Sequence, residues 1–105
     1  MNNSSEYSIV FVDDAYNDLE KIDKSLYKII FNRINKLKTN PFYGKHLGNK
    51  YGINLTGCYK IRVSFLRIVY TVVENKLIIY IVAIDKRSDV EVYKKAFERF
   101  KNIFK

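Results

Sequence analysis

Three β-rich segments follow one another across gaps too short for anything but a tight turn, and this constrains the fold more than any other feature of the chain. They run from Leu55 to Val63, from Leu66 to Val73 and from Lys76 to Ile84. The gaps are Ser64-Phe65 and Glu74-Asn75. Two residues can join antiparallel strands, whereas a parallel pair needs a crossover of about a dozen residues or more. The spacing therefore predicts an antiparallel meander. The third segment is apolar on both faces, which predicts a strand inside the sheet.

The flanking regions are helical. Tyr7 to Val12 is β-branched and aromatic and reads as a first strand. Asp13 and Asp14 offer an N-cap for a short helix with Ala15, Leu19 and Ile22 at helical spacing. Asp23-Lys24 breaks it, and Ser25 is expected to cap a second helix. There Leu26, Ile29, Ile30, Ile34 and Leu37 follow the 3.6-residue period, with lysines and Arg33 on the other face. Asn40-Pro41 closes this helical hairpin. Residues 41 to 54 hold three of the four glycines, the only proline and the only histidine, and read as a loop. Asp85 to Asp89 reads as a charged loop. A last helix starts from Val92, with Tyr93, Ala96, Phe97, Phe100 and Phe104 on one stripe. The order is β-α-α-β-β-β-α. This is an α+β class fold with a mostly antiparallel sheet, a helical hairpin on one face and a C-terminal helix. At 105 residues it is expected to form one domain, 1–105, with a polar start, Met1 to Glu6, that is expected to fray.

Charge narrows the function. The chain carries 19 Lys and Arg against 11 Asp and Glu, a net charge of +8. Such a balance favours polyanionic partners: nucleic acid, ribosome, acidic protein or anionic membrane. Its single cysteine, Cys58, cannot form an internal disulfide, nor a zinc site with only His46 for company. That suits a reducing compartment and a cytoplasmic location. No signal-peptide pattern or membrane-length apolar run is present in the sequence.

The cations concentrate on one strand face. In Cys58-Tyr59-Lys60-Ile61-Arg62-Val63, alternation puts Tyr59, Ile61 and Val63 on one side and Lys60 and Arg62 on the other, roughly 6.7 Å apart. A turn at Ser64-Phe65 pairs Val63 with Leu66 and Arg62 with Arg67, so Arg67 joins the same face. Two arginines directly opposite repel, and a sequence selected for folding alone seldom puts them there. Guanidinium forks match phosphate oxygens, so the three cations suggest a phosphate ligand, with a merely solvated basic face as the plainer alternative. On pattern alone Lys86 and Arg87 belong to a solvated charged turn. Tyr93 belongs to the apolar stripe, and His46 is a solvated or capping histidine.

Together these residues resemble the RelE family of bacterial toxins, within the RelE/ParE superfamily. The resemblance runs from Tyr7 to about Arg99. Its specific parts are Leu55-Thr56-Gly57-Cys58-Tyr59-Lys60-Ile61-Arg62-Val63 and Leu66-Arg67-Ile68-Val69-Tyr70, closing with Ile84-Asp85-Lys86-Arg87 and Glu91-Val92-Tyr93. It implies a toxin that enters the ribosomal A site, cuts mRNA there, and is silenced by an antitoxin that wraps it and through which oligomers form. It assigns the catalytic positions to Lys60, Arg62, Arg67, Arg87 and Tyr93, the last two on the resemblance and not on spacing. The best-known members carry lysine where this chain has Arg62. Arginine stays protonated and is a poor proton acceptor, which leaves the general base unassigned.

The resemblance further implies metal-independent, cofactor-free attack of a ribose 2′-hydroxyl on the adjacent phosphate, with the ribosome aligning the substrate. Neither membrane nor metal takes part. Two alternatives stay open. One is a ParE-like inhibitor of DNA gyrase, and the other is a degenerate toxin that binds RNA without cutting it.

Overall fold

The computed structural model describes residues 6–103. Met1 to Ser5 and the stripe residue Phe104 lie outside the described residues. Strand β1 (Ser8–Phe11) leads into helix α1 (Asp13–Glu20), a 3-10 turn and helix α2 (Tyr27–Asn35). The stretch read as a loop holds three two-residue strands: β2 (Lys45–His46), β3 (Asn49–Lys50) and β4 (Ile53–Asn54). The meander follows as β5 (Cys58–Val63), β6 (Leu66–Val73) and β7 (Ile78–Asp85), and helix α3 spans Asp89–Ile103. The main sheet has the order β1-β7-β6-β5-β2, and β3 and β4 pair separately. The meander is antiparallel as its spacing requires, and β7 lies inside the sheet. β1 runs parallel to β7. No helix among the described residues is long and apolar enough to cross a membrane.

The element boundaries differ from expectation for physical reasons. Asp13 and Asp14 occupy the first turn of α1, where carboxylates favour the positive end of the dipole, and the N-cap position is Val12. Asp23, not Ser25, supplies the cap of the 3-10 turn before α2, its side chain accepting from the Ser25 amide. Helix α3 starts three residues before Val92, because the Ser88 hydroxyl accepts the Glu91 amide at 3.3 Å. Ser88-Asp89-Val90-Glu91 is a Ser-x-x-Glu sequence, a recognised helix-start pattern. The gap expected at Glu74-Asn75 is longer: a 3-10 turn over Glu74–Lys76 and a left-handed Leu77, φ 54°, fill it, so β7 starts at Ile78 and not at Lys76. At the other turn Ser64 takes φ 58°. A positive φ at the first turn position suits the strand twist of a two-residue hairpin.

Each sheet face has its own core. On one, Ile61, Val63, Ile68, Tyr70, Ile79 and Ile81 pack with Ala15 and Leu19 of α1 and Ile30 and Ile34 of α2. On the other, Cys58, Val69, Val82 and Ala83 pack with Val92, Tyr93 and Ala96 of α3. Strict alternation would send Val82 and Ala83 to opposite faces. The β6–β7 register shifts between Val69, opposite Ala83, and Tyr70, opposite Ile81, leaving Val82 as the extra residue of a β-bulge. The bulge lets both residues face α3.

A charged lattice closes this corner. Buried Asp18 of α1 accepts the Ile84 amide at 3.0 Å and pairs with Arg99 Nη1 at 2.6 Å and Lys95 Nζ at 3.0 Å. Arg99 Nη1 also donates to the carbonyl of the bulged Val82 at 3.1 Å. Asp85, nearly buried at the end of β7, binds Lys95 at 3.0 Å and Arg87 at 2.8 Å. Burial pushes the Asp85 carboxyl up, but hydrogen bonds from Arg87 and Lys95 outweigh it and hold the pKa well below its ordinary 3.8. A depressed folded-state pKa stabilises the fold fully above the unfolded value, and that stability is lost as pH falls. Asp85→Asn is expected to cost on the order of 3 kcal/mol at neutral pH, by removing the carboxylate that Arg87 and Lys95 share and leaving Lys95 to Asp18 alone. The stability-versus-pH curves of the two proteins, measured by urea unfolding, are expected to converge below about pH 4.

Gly44 is constrained by close approach. Its amide donates to the hydroxyl of buried Tyr70 at 2.9 Å. A Cβ there would come within 2.7 Å of that hydroxyl oxygen and 2.8 Å of the Lys60 carbonyl. Gly44→Ala is expected to lower unfolding free energy by about 1–3 kcal/mol, read as a lower urea midpoint at unchanged slope.

Candidate functional site

The β5–β6 hairpin sets the site by register. Val63 lies opposite Leu66, and Arg62 opposite Arg67. Since alternate residues share a face, Lys60, Arg62 and Arg67 stand together on the α3 side of the sheet. Strand β2 adds a cation that sequence reasoning missed. Lys45 is the partner of Lys60, so the two lysines stand side by side. A two-residue strand has no periodicity to announce it.

The repulsion between the facing arginines is relieved by divergence. Arg67 turns toward α3, its Nε 2.6 Å from Asp89 Oδ1 and its Nη1 2.6 Å from the Arg87 carbonyl. Arg62 is exposed, and its side chain forms no ion pair among the described residues. Its carbonyl accepts from Arg33 of α2 at 3.1 Å. Lys60 Nζ lies 3.5 Å from both oxygens of Asp89 and 5.8 Å from the centre of the Tyr93 ring.

Asp89 is the unexpected member. As the first residue of α3 it inserts a carboxylate between Lys60 and Arg67. Partial burial pushes its pKa up, but the Arg67 hydrogen bond and the charges of Lys60 and Arg67 prevail and hold it below the ordinary carboxylate value. Sequence alone showed two acids in a charged stretch. The cap at Ser88 turns the second of them back over the sheet.

Arg87 lies at the rim, its side chain 58% exposed, gripped by Asp85 and with Glu91 at 3.7 Å. The hydrogen bond to Asp85 raises its pKa further. Tyr93 is only 3% exposed. Burial, with Asp89 and Tyr51 nearby, pushes its hydroxyl to about 12. The ring presented to solvent beside it is Tyr51, 66% exposed with its centre 6.1 Å from that of Tyr93. Tyr51 and Gly52 both take positive φ, 56° and 75°, at the turn between β3 and β4. The tight Lys50-Tyr51-Gly52-Ile53 spacing was the available signal for this hairpin. His46 sits apart. It shares the helical-hairpin face through its pairing with Tyr59, and its Nε2 accepts the Gly57 amide at 3.3 Å. It is exposed and takes no part in the cationic row.

The site therefore joins Lys60, Arg62, Arg67 and the Asp89 carboxylate on the sheet, with Arg87 at the edge and Tyr93 beneath. Of the three cations in the row, Arg62 is exposed while Lys60 and Arg67 are largely covered and paired with Asp89. A cleft of about 590 Å³ lined by Arg33, Lys36 and Tyr43 lies on the opposite side, against Ile61. Among the described residues no group of three or more His, Cys, Asp and Glu is arranged to hold a metal ion.

Comparison with known proteins gives the same direction. The family described as ParE toxin of type II toxin-antitoxin system, parDE, matches residues 9–91. A RelE-like toxin protein of Escherichia coli is 34% identical over 97 residues, covering 90% of this chain and 98% of that protein. The mRNA interferase toxin RelE of E. coli K12 is 39% identical over 44 residues, 40% of this chain and 46% of its own. In three dimensions, a doubly substituted variant of E. coli toxin RelE in the free state superposes with a TM-score of 0.72 at 22% identity, over 90% of this chain and 97% of that one. The toxin of a Mycobacterium tuberculosis toxin–antitoxin complex gives 0.66 at 24% identity, over 78% and 99%. At these identities the two structures speak to the fold alone.

Proposed function

The chain belongs to the ParE-toxin family of type II toxin–antitoxin systems, in its RelE-like branch, and from that premise we propose that it is a ribosome-dependent endoribonuclease that cuts mRNA in the A site and so blocks translation. The observation that carries this reading is the row Lys60, Arg62 and Arg67 on one sheet face. Facing arginines are unfavourable to folding by themselves, and a bound phosphate would compensate them. The similar RelE of E. coli K12 is an mRNA interferase by name.

In the proposed reaction a ribose 2′-oxygen attacks the adjacent phosphorus and the 5′-oxygen of the next nucleotide leaves. The products are a 2′,3′-cyclic or 3′-phosphate end and a 5′-hydroxyl end. Arg67 and Arg62 stabilise negative charge on the five-coordinate transition state. Lys60 clamps the phosphate, and Arg87, exposed at the rim, meets the leaving oxygen. Tyr93 supports the site from beneath, holding its ring against Lys60. Tyr51 offers the accessible aromatic face on which a displaced base would rest. The ribosome supplies substrate alignment, which can lower a barrier by several kcal/mol. Such a toxin works in the cytoplasm and is silenced by a cognate antitoxin. Similar folds have been solved with antitoxins bound, and an acidic antitoxin segment would be steered to a +8 surface.

A second reading is favoured by the family description itself, which names ParE. A ParE-like gyrase inhibitor would share this fold without needing the cationic row. Primer extension on a defined mRNA in a purified translation system separates the two. Cuts within the A-site codon are expected only when ribosomes are present. Arg67→Ala, with an unchanged melting temperature, is expected to lower the cleavage rate about 10²–10³-fold. Absence of cuts, with loss of gyrase supercoiling, would establish the second reading. RNA binding without cut ends would identify a non-catalytic toxin.

A further inference from the structure

Attack by a 2′-hydroxyl needs a proton acceptor, and the five positions assigned to catalysis do not supply one. Arg62, Arg67 and Arg87 carry guanidinium groups that remain protonated at working pH. Tyr93 holds its proton in a buried setting. Lys60 is engaged as a donor, its Nζ 3.5 Å from both oxygens of Asp89. Other bases are engaged elsewhere. His46 accepts the Gly57 amide on the opposite sheet face. Asp85 is nearly buried and holds Arg87 and Lys95. Glu91 faces Arg87 at 3.7 Å, away from the row.

Asp89 remains. It touches both central cations, its side chain is 31% exposed, and among the described residues its Oδ2 has only Lys60, at 3.5 Å, as a partner. A carboxylate offers about four lone-pair sites, so Oδ2 can still take a proton from a bound ligand. We infer that Asp89 is the general base of the cleavage and Lys60 its general acid, a deepening that rests on the endonuclease reading above.

The proton balance closes. As the O2′–P bond forms, the 2′-hydroxyl proton passes to Asp89. As the P–O5′ bond breaks, the Lys60 ammonium gives a proton to the 5′-oxygen, whose charge Arg87 shares. Asp89 then hands its proton to the Lys60 amine beside it, and both groups return to their starting states. Substrate also primes the base. In the free protein Asp89 sits where a phosphate would bridge Lys60 and Arg67. An arriving phosphate takes over those hydrogen bonds and brings its own negative charge, and both changes raise the proton affinity of Asp89.

The charged and titratable groups facing Asp89 are Lys60 from β5, Arg67 from β6 and Tyr93 from α3. The test is single-turnover cleavage of ribosome-bound mRNA across pH, comparing the unmodified chain with Asp89→Asn and Asp89→Glu. For the unmodified chain the rate is expected to rise with pH to a plateau. Asp89→Asn is expected to lower kcat about 10²–10⁴-fold, to remove the acidic limb, and to leave KM unchanged or lower because a competing anion is gone. Asp89→Glu is expected to restore part of the rate together with the limb, and its charge keeps the cluster paired should the Asn variant fail to fold. Asp89→Asn cutting at full rate with the limb intact would overturn the inference and reduce Asp89 to a counter-ion, with the endonuclease reading untouched. An unmodified chain that cuts nothing would overturn both.

Discussion

The corner where β7 hands over to α3 depends on one buried carboxylate. Asp18 lies on α1, yet it accepts the Ile84 amide of β7 and pairs with Lys95 and Arg99 of α3. A helix near the start of the chain thus meets β7 and α3, some sixty residues later or more, on the two oxygens of one side chain. Arg99 extends the lattice to the carbonyl of Val82, the bulged residue that lets β7 present two consecutive side chains to α3. A buried charge is tolerated only when paired and hydrogen-bonded. The same requirement that keeps Asp18 satisfied therefore fixes how α3 lies on the sheet.

The cationic surface inherits that placement. With α3 docked, its first turn overhangs the β5–β6 hairpin, and Asp89 reaches Lys60 and Arg67. Asp85 meanwhile anchors Arg87 at the rim. The hairpin alone would present a row of repelling cations. The helix supplies the countercharge, the carboxylate of Asp89. Stability and chemistry are thus linked through one short loop, Lys86 to Ser88, held at both ends by carboxylates.

Much of the fold was legible because its signals are local. Two-residue gaps admit only antiparallel turns, and period-2 alternation then puts Lys60, Arg62 and Arg67 on one face. Those inferences need nothing beyond sterics and the pleat. The parallel pairing of β1 with β7 has no such signal, since it joins the two ends of the chain. The bulge at Val82 was hidden because β7 is apolar on both faces, so a shift in alternation changes no hydrophobic pattern. Strand β2, and with it Lys45, is too short to show a period.

The hairpin register, and through it which cations stand together, follows from local sequence, because strand pairing across a two-residue turn leaves one geometry. Local sequence also carried the family motifs from Leu55 to Tyr70 and from Ile84 to Tyr93. What those cations face follows instead from long-range packing. Whether Tyr93 is open or covered, whether Arg87 is loose or gripped, and that Asp89 lies among the cations all depend on the angle at which α3 meets the sheet. That angle is set by contacts between residues as distant as Asp18 and Arg99, and burial and electric field at a point are sums over everything folded around it.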